Sequence, residues 1–270
     1  MALSPNINVM LRAAEKAARS LVRDFGEVEQ LQVSRKGPGD FVSAADHRSE
    51  EIIFHELSKA RPDYGFLMEE RGTVAGKDTE HRWIVDPLDG TTNFLHGIPH
   101  WNITIALEEK DEIIAGIVFN PITNEMFRAE KGQGAFMRNK RLRVSGRTIM
   151  TEAVFLTGEP RRVPAEQSLF FDEYSAVQRA GPSMRRMGAA ALDMAYVAAG
   201  RSEGFWERSL NPWDVAAGSL IVKEAGGMVG DIDRHQNNPV KTGNIVAGNG
   251  ALYDELKKLL KSVKSGKDAA

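Results

Sequence analysis

The chain has 270 residues, of which 42% are hydrophobic and 27% are charged, a balance typical of a soluble globular protein with one large domain or two modest ones. Its net charge of −2 gives no argument for a nucleic-acid or membrane partner, and no apolar run approaches the ~20 residues that a membrane span needs. The absence of cysteine excludes disulfides, thiol nucleophiles and cysteine-ligated metal sites. The N-terminal segment lacks the continuous apolar core of a signal peptide, so we expect a cytoplasmic protein.

Two helices separated by a polar loop are predicted first. Ser4, followed by a proline, marks the start of a helix whose apolar residues keep helical spacing as far as Gly26. Residues 35–41, RKGPGDF, have the composition of a turn or loop. A second helix is predicted to start at Ser43, a good N-cap, and to end before Pro62.

Strands dominate the next part of the chain. Residues 65–72, GFLMEERG, predict a short strand that runs into two glutamates. Four successive antiparallel strands are predicted between residues 102 and 139, in the segments NITIAL, IIAGIVFN, EMFRAE and GAFMRN.

From about residue 150, strands alternate with helices. The predicted elements are a strand at 153–158, a helix at about 165–180, an alanine-rich helix at 184–200, a strand at 204–207, a helix starting after the N-cap Asn211, strands at 228–233 and 244–249, and an amphipathic helix at 251–263. We therefore predict an α+β fold, a layered αβαβα sandwich. Its antiparallel-sheet half, residues 1–145, packs on an α/β half, residues 146–270.

The segment WIVDPLDGTTNF, residues 83–94, carries the strongest chemical signal. Asp86 and Asp89 follow an apolar strand, and carboxylates at a strand end are well placed for a cleft. Like charges this close repel unless a cation lies between them, and hard oxygen ligands suit Mg²⁺, Mn²⁺ or Ca²⁺. Gly90 permits a close backbone approach to a phosphate. The alternative is a solvated turn capped by Asp89, and the DGTT residues alone do not decide between the two.

Other segments extend this signal over nearly the whole chain. KGPGDFVSAAD, FLMEE, DPLDGTTNF, WDVAAGSLIVKEAGG and NIVAGN occur in this order. Together they resemble the inositol monophosphatase family of lithium-sensitive, metal-dependent phosphatases, to which fructose-1,6-bisphosphatase-like enzymes are related. Ser43 stands where the family usually has threonine, and Leu88 where isoleucine is also common.

The resemblance implies a role for individual residues. Two or three Mg²⁺ ions, for which Mn²⁺ can substitute, would be held by Glu69, Asp86, the carbonyl of Leu88, Asp89 and Asp214. Substrate would be bound by Leu88, Asp89, Gly90, Thr91, Arg185, Ala190, Glu207 and Asp214. In catalysis, Glu69 resembles the residue that helps hold the attacking water, Thr91 the hydroxyl that helps deprotonate it, and Asp46 the acid that orients Thr91. Lys36 resembles a basic residue at the edge of the metal cluster.

Several of these residues have a second interpretation. Asp214 lies in the first turn of a predicted helix, where the helix dipole favours an acid without any metal. Asp46 is also the capping-box acid expected for Ser43. Arg185 is also explained as an ordinary surface arginine.

The predicted function is Mg²⁺-dependent hydrolysis of a small phosphate monoester by metal-activated water. Inositol-1-phosphate is the leading substrate, because a carboxylate such as Glu207 can accept hydrogen bonds from polyol hydroxyls. Fructose-1,6-bisphosphate, 3′-phosphoadenosine 5′-phosphate and histidinol phosphate are alternatives for the same chemistry. An alternative of another class is a regulatory protein that keeps the fold and binds a macromolecule. The resemblance also implies a homodimer.

Overall fold

The computed structural model of the chain describes residues 3–27, 33–37, 40–160, 164–234 and 238–263. The α-helices are α1 (Pro5–Phe25), α2 (Ala44–Ala60), α3 (Thr91–Leu95), α4 (Pro164–Arg179), α5 (Ala190–Ala198), α6 (Pro212–Glu224), α7 (Pro239–Thr242) and α8 (Tyr253–Ser262). The strands are β1 (Val33–Gly37), β2 (Asp40–Ser43), β3 (Gly65–Met68), β4 (Gly72–Val74), β5 (His81–Asp89), β6 (Asn102–Glu109), β7 (Glu112–Asn120), β8 (Glu125–Glu130), β9 (Gly134–Met137), β10 (Lys140–Arg141), β11 (Val154–Thr157), β12 (Ser183–Arg185), β13 (Gly204–Glu207), β14 (Met228–Asp231) and β15 (Ile245–Gly248).

Two sheets organise the described chain, beside a small β1–β2 hairpin. The larger sheet has the order β10-β9-β8-β7-β6-β5-β3-β4 and is antiparallel except between β3 and β5. The smaller sheet has the order β12-β11-β13-β15-β14, with β11 parallel to both of its neighbours and β15 antiparallel to both of its own. The mixture of an antiparallel sheet and a partly parallel one confirms the predicted α+β class.

The layers follow from the alternation of side chains along the strands, because successive residues of a strand face opposite sides of a sheet. In β5, Trp83 and Val85 pack with α1 and α2, whereas Ile84 packs with α5 and α6. In β13, Phe205 faces the same α5–α6 layer, and Trp206 packs on the other side with residues of α4 and α8. The order of layers is therefore α1/α2, large sheet, α5/α6, small sheet, α4/α8, which is the predicted αβαβα sandwich.

Helix α6 packs closely on the large sheet. A Cβ added at Gly116 of β7 would be 3.0 Å from the Cα of Ala217, so a small residue on each side allows the two backbones to approach.

The large sheet takes its strands from residues 65–141 and the small sheet from residues 154–248. The division of the chain at residue 145 stays a prediction. No described helix has the length and apolarity to cross a membrane.

Several predicted helix ends are confirmed. The Ser4 hydroxyl accepts a hydrogen bond from the Ile7 backbone N–H at 3.2 Å, so Ser4 caps α1. Asn211 is the N-cap of α6, and the Asp214 carboxylate accepts from the Asn211 backbone N–H at 2.7 Å. The side chain of Ser43 lies outside the described residues, so its capping role stays a prediction.

Two predictions of secondary structure are wrong. Residues 35–41 were expected to form a turn or loop, but within this segment Arg35 of β1 pairs with Phe41 of β2, and Gly37 with Asp40. The alanine-rich helix starts at Ala190 instead of residue 184, because Ser183–Arg185 pair with β11 as the edge strand β12 and Gly188 has a φ of +83°.

Candidate active site

The segment that links β5 to α3 forms the centre of the site. Strand β5 continues through Asp86 to Asp89, and its register against β6 is irregular between the two aspartates. The Asp86 side chain, only 2% exposed, accepts a hydrogen bond from the Leu88 backbone N–H at 2.9 Å. Asp86 thus closes a tight turn around Pro87, and this turn fixes the spacing of the two aspartates.

Three carboxylates, two of them from other parts of the chain, lie near enough to Asp86 for their negative charges to affect it. The pKa of Asp86 is raised well above its usual value, first by burial and then by the negative charges of Glu69, Asp89 and Asp214. Glu69 follows β3, and Asp214 lies in the first turn of α6. The fold therefore brings together the four acidic side chains for which a metal-binding role is predicted.

Asp89 is tied to two other elements. Its Oδ2 atom accepts hydrogen bonds from the Asn102 side-chain amide at 2.8 Å and from the Ala191 backbone N–H at 3.0 Å. Asn102 starts β6, and Ala191 lies in the first turn of α5. The position of this carboxylate thus depends on both halves of the sandwich. Ala190, a predicted substrate contact, is buried immediately before Ala191.

Gly90 and Thr91 complete the turn. Gly90 has a φ of +88°, and a Cβ there would be 3.1 Å from the His100 carbonyl oxygen, so only glycine fits without strain. The Thr91 hydroxyl lies 3.2 Å from Asp46 Oδ1 and 3.1 Å from the Leu88 carbonyl oxygen. Because a hydroxyl has one proton to donate, these two oxygens are alternative acceptors. The contact with Asp46 is the one expected if that acid orients Thr91.

Helix α2 supplies two further contacts that the sequence did not reveal. The Ser49 hydroxyl donates to the Pro87 carbonyl at 2.8 Å. The Glu50 carboxylate accepts from the backbone N–H groups of Glu70 and Arg71 at 2.9 and 3.3 Å. Burial raises the pKa of Glu50, and these backbone hydrogen bonds oppose the rise. The available signal was their spacing, since they follow Asp46 by three and four residues on one helix.

Two sets of buried polar contacts lie behind the turn, one made by Asn93 and one by His100 with Asp193. The side-chain amide of Asn93 donates to the carbonyls of His100 and Met187, both at 2.7 Å. His100 Nε2 lies 2.9 Å from Asp193 Oδ1 of α5. Burial raises the pKa of Asp193 to about 6, and the hydrogen bond from His100 opposes the rise. No signal in the sequence points to the contacts with Met187 and Asp193, because these partners are 94 and 93 residues away along the chain.

The predicted substrate residues of the second half lie at the ends of parallel strands. Arg185 ends β12 and Glu207 ends β13, on either side of β11. A Cβ added at Gly158, just after β11, would overlap the Glu207 carboxylate, so that side chain lies across the strand end. Arg185 is exposed, and its guanidinium donates to the Met184 carbonyl at 2.8 Å. Its predicted contact with substrate stays a prediction.

The donor set fits a hard divalent cation. Carboxylates of buried and partly buried acids, beside the backbone carbonyl of Leu88, are the oxygen ligands that Mg²⁺ and Mn²⁺ prefer. The mutual repulsion at Asp86 is the strain that a cation would relieve. Among the described residues, no three His, Asp or Glu side chains already stand close enough to enclose an ion. The side chain of Lys36 lies outside the described residues.

Comparison with known proteins gives concordant matches. The profile of the inositol monophosphatase family matches residues 2–265. A Mesorhizobium japonicum protein named inositol-1-monophosphatase is 55% identical over 98% of this chain and 98% of its own. The Escherichia coli protein named Nus factor SuhB is 39% identical over 92% of each chain. The crystal structure of the extragenic suppressor protein suhB from Bartonella henselae superposes with a TM-score of 0.92 at 53% identity, covering 96% of this chain and 99% of that one.

The layered fold, the carboxylate cluster and these matches together define a phosphoric monoester hydrolase that acts on a small phosphorylated molecule. The inositol monophosphatase family is metal-dependent. The chain belongs to the inositol monophosphatase family.

Proposed function

We propose that the chain is a Mg²⁺-dependent phosphatase that hydrolyses inositol-1-phosphate to inositol and phosphate. The observation that carries this proposal is the convergence of Glu69, Asp89 and Asp214 on the buried carboxylate of Asp86. Such a cluster is costly to fold unless cations bind there. The 55% identity to a protein named inositol-1-monophosphatase supports the choice of substrate.

The chain's own residues would position the substrate and move one proton. The backbone N–H groups of Gly90 and Thr91 would hold the phosphate oxygens. The Thr91 hydroxyl would relay the proton of the attacking water to Asp46, its acceptor at 3.2 Å. The cations, two or three Mg²⁺ or Mn²⁺, would lower the pKa of that water and stabilise negative charge on the phosphate. Glu207 would accept hydrogen bonds from the hydroxyls of the polyol.

A phosphate-release screen tests the proposal. Inositol-1-phosphate, fructose-1,6-bisphosphate, 3′-phosphoadenosine 5′-phosphate and histidinol phosphate are compared with Mg²⁺, with Mn²⁺, with Li⁺ added and with EDTA. We expect the highest kcat/KM for inositol-1-phosphate, inhibition by Li⁺ and no turnover in EDTA. Undiminished turnover in EDTA would refute the metal dependence. A higher kcat/KM for another of the four would replace the substrate and leave the reaction in place.

A second candidate function is regulatory binding of a macromolecule beside catalysis. It is favoured by the 39% identity to a protein named Nus factor. Partners are captured from lysate with the wild-type chain and with Asp89→Asn, which removes a proposed cation ligand. Partners retained equally by both would indicate binding that is independent of catalysis. If neither captures more than an unrelated protein does, this candidate is rejected.

We also propose that the enzyme is a cytoplasmic homodimer. The family resemblance supports the dimer, and the lack of cysteine agrees with a reducing compartment. Light scattering at micromolar concentration is expected to give twice the mass of one chain. A monomer mass would reject the dimer.

A further inference from the structure

Three polar side chains on one face of α2 are buried against the site. Asp46, Ser49 and Glu50 are 1%, 0% and 3% exposed, and residues three and four apart share a face of a helix. A buried polar group costs free energy unless it is hydrogen-bonded, and a buried carboxylate costs more. Each of the three side chains has a partner, and the partners lie on three different segments of the chain.

Glu50 holds the turn that carries Glu69. Its carboxylate accepts from two consecutive backbone N–H groups, those of Glu70 and Arg71, directly after Glu69. On the other side, the Glu69 backbone N–H donates to the Val85 carbonyl of β5 at 3.3 Å. Glu69 thus lies between two fixed points, one on α2 and one on the strand that carries Asp86. Without Glu50, the turn would keep its contact with β5 and the pairing of β3 with β4 at its two ends, but it would lose both hydrogen bonds to α2.

Ser49 holds the second acid-bearing turn. Its hydroxyl donates to the carbonyl of Pro87, the residue between Asp86 and Leu88. This hydrogen bond engages the Pro87 carbonyl and leaves the Leu88 carbonyl on the side of Thr91, whose hydroxyl lies 3.1 Å away. The orientation of the Pro87 carbonyl is therefore set from α2, and the next carbonyl, that of Leu88, faces Thr91 of α3.

Neither residue has a part in the reaction as proposed above. The guanidinium of Arg71 lies 3.8 Å from the Glu50 carboxylate, and it also contacts Glu51. An ion pair this long does little to offset burial of the carboxylate. The two backbone hydrogen bonds account better for an acid at position 50.

We propose that Glu50 and Ser49 are positioning residues, which set the directions of the Glu69 and Asp86 carboxylates for binding divalent cations. This inference rests on the proposed metal site. Groups that orient metal ligands without touching the metal typically change metal affinity by about 10–100-fold when they are removed.

The test measures Mg²⁺ affinity directly, by titration calorimetry of the substrate-free protein, and compares it with the Mg²⁺ concentration that half-saturates phosphate release. Glu50→Gln keeps the size of the side chain but weakens its hydrogen bonds to the turn, and Ser49→Ala removes one hydroxyl without any change of charge. Glu51→Gln is the matched control. It makes the same chemical change at the next residue, whose side chain is 64% exposed and contacts the same Arg71.

We expect Glu50→Gln to weaken Mg²⁺ binding by about 10–100-fold and Ser49→Ala by a smaller factor, with Glu51→Gln within about twofold of wild type. Circular dichroism checks folding, and if Glu50→Gln is unfolded, Ser49→Ala decides. Wild-type affinity in both test variants would overturn the inference, and so would an equal loss in Glu51→Gln, because charge alone would then explain the effect. If the wild-type protein binds no Mg²⁺, the proposed function fails, and the inference fails with it.

Discussion

At the scale of single residues, the hydroxyl of Thr91 has the most direct link to chemistry. It has one proton and two acceptors, Asp46 and the Leu88 carbonyl. The lone pairs of the Thr91 oxygen can accept from another donor in either case, but of the two acceptors only the Asp46 carboxylate can take up a proton. That arrangement suits a proton relay, whereas donation to Leu88 alone would suit a purely structural turn.

Substitution of Thr91 separates these two roles. We expect Thr91→Ser to retain much of the phosphate-release activity, because serine keeps the hydroxyl. Thr91→Ala and Asp46→Asn should lose about 10²–10⁴-fold in kcat, the usual contribution of general-base assistance. The measurements are turnover and melting temperature. Near-normal turnover with a lowered melting temperature in Thr91→Ala would show that the residue only stabilises the turn.

Ionisation of Asp86 is expected to lower the stability of the metal-free protein. Its ionised form is disfavoured by burial and by three neighbouring acids. Asp86→Asn keeps the acceptor for the Leu88 N–H and removes the charge. We therefore expect the variant to melt at a higher temperature than wild type in EDTA, to gain nothing from Mg²⁺ and to release no phosphate.

Thermal melts in EDTA and in Mg²⁺ check this expectation. Asp172→Asn, the same change at an exposed position on α4, is the control and should leave both melts unchanged. A lower melting temperature of Asp86→Asn in EDTA would show instead that its carboxylate stabilises the turn.

At the scale of elements, the sequence predicted those with regular signals. Helix α1 has a proline after its cap and helical spacing of apolar residues, and β6 to β9 have β-rich runs between turn residues. The hairpin β1–β2 was missed, because pairing between strands is not visible in a glycine-rich segment. Strand β12 was missed because the alanine-rich composition favoured a helix from residue 184. Gly188 has a positive φ, so the helix starts only after it, at Ala190.

For the site too, the sequence predicted what its motifs name and missed what depends on contacts between distant segments. The motifs named the acids around Asp86, which the fold brings together. They did not name Asn102, Ser49 or Asp193, whose contacts join segments 13 to 93 residues apart. Such a side chain holds a site residue in place through a hydrogen bond to a partner that is distant in the sequence. Only the fold brings the two together, so the residue type alone does not predict the role.

The contact between α5 and the turn before β6 should depend on pH. The pKa of Asp193 in the folded protein, about 6, lies above its ordinary value of 3.8, because burial disfavours the charge. The stability that this group contributes is thus fully present below the ordinary value and is lost as the pH rises through about 6. His100 offsets part of that loss and Asp89 adds to it.

Asp193→Asn isolates this effect. Asparagine keeps an oxygen near His100 and has no charge to lose. We expect the free energy of unfolding of the variant to gain on that of wild type as the pH rises from about 4 to about 7, with most of the gain between the ordinary pKa of 3.8 and the folded value of about 6. Urea unfolding in EDTA measures it, with Asp172→Asn as the control. A constant difference over this range would contradict the prediction.

At the scale of the whole molecule, the helical layer of α5 and α6 packs against both sheets. One hydrophobic cluster joins Ile84 and Val118 of the large sheet, Leu156 and Phe205 of the small one, and the buried residues of both helices. Asp89 adds a polar link, since it accepts hydrogen bonds from Asn102 of the large sheet and Ala191 of α5. The site thus lies where the two halves already share their packing.

This shared layer has a consequence for how the molecule unfolds. If either sheet melted alone, it would leave one side of α5 and α6 against water, and exposing that apolar surface costs free energy. We therefore expect one cooperative transition in differential scanning calorimetry, with equal calorimetric and van't Hoff enthalpies. Mg²⁺ should move that transition as a whole to higher temperature without splitting it. Two resolved heat-absorption peaks would show that the halves melt independently.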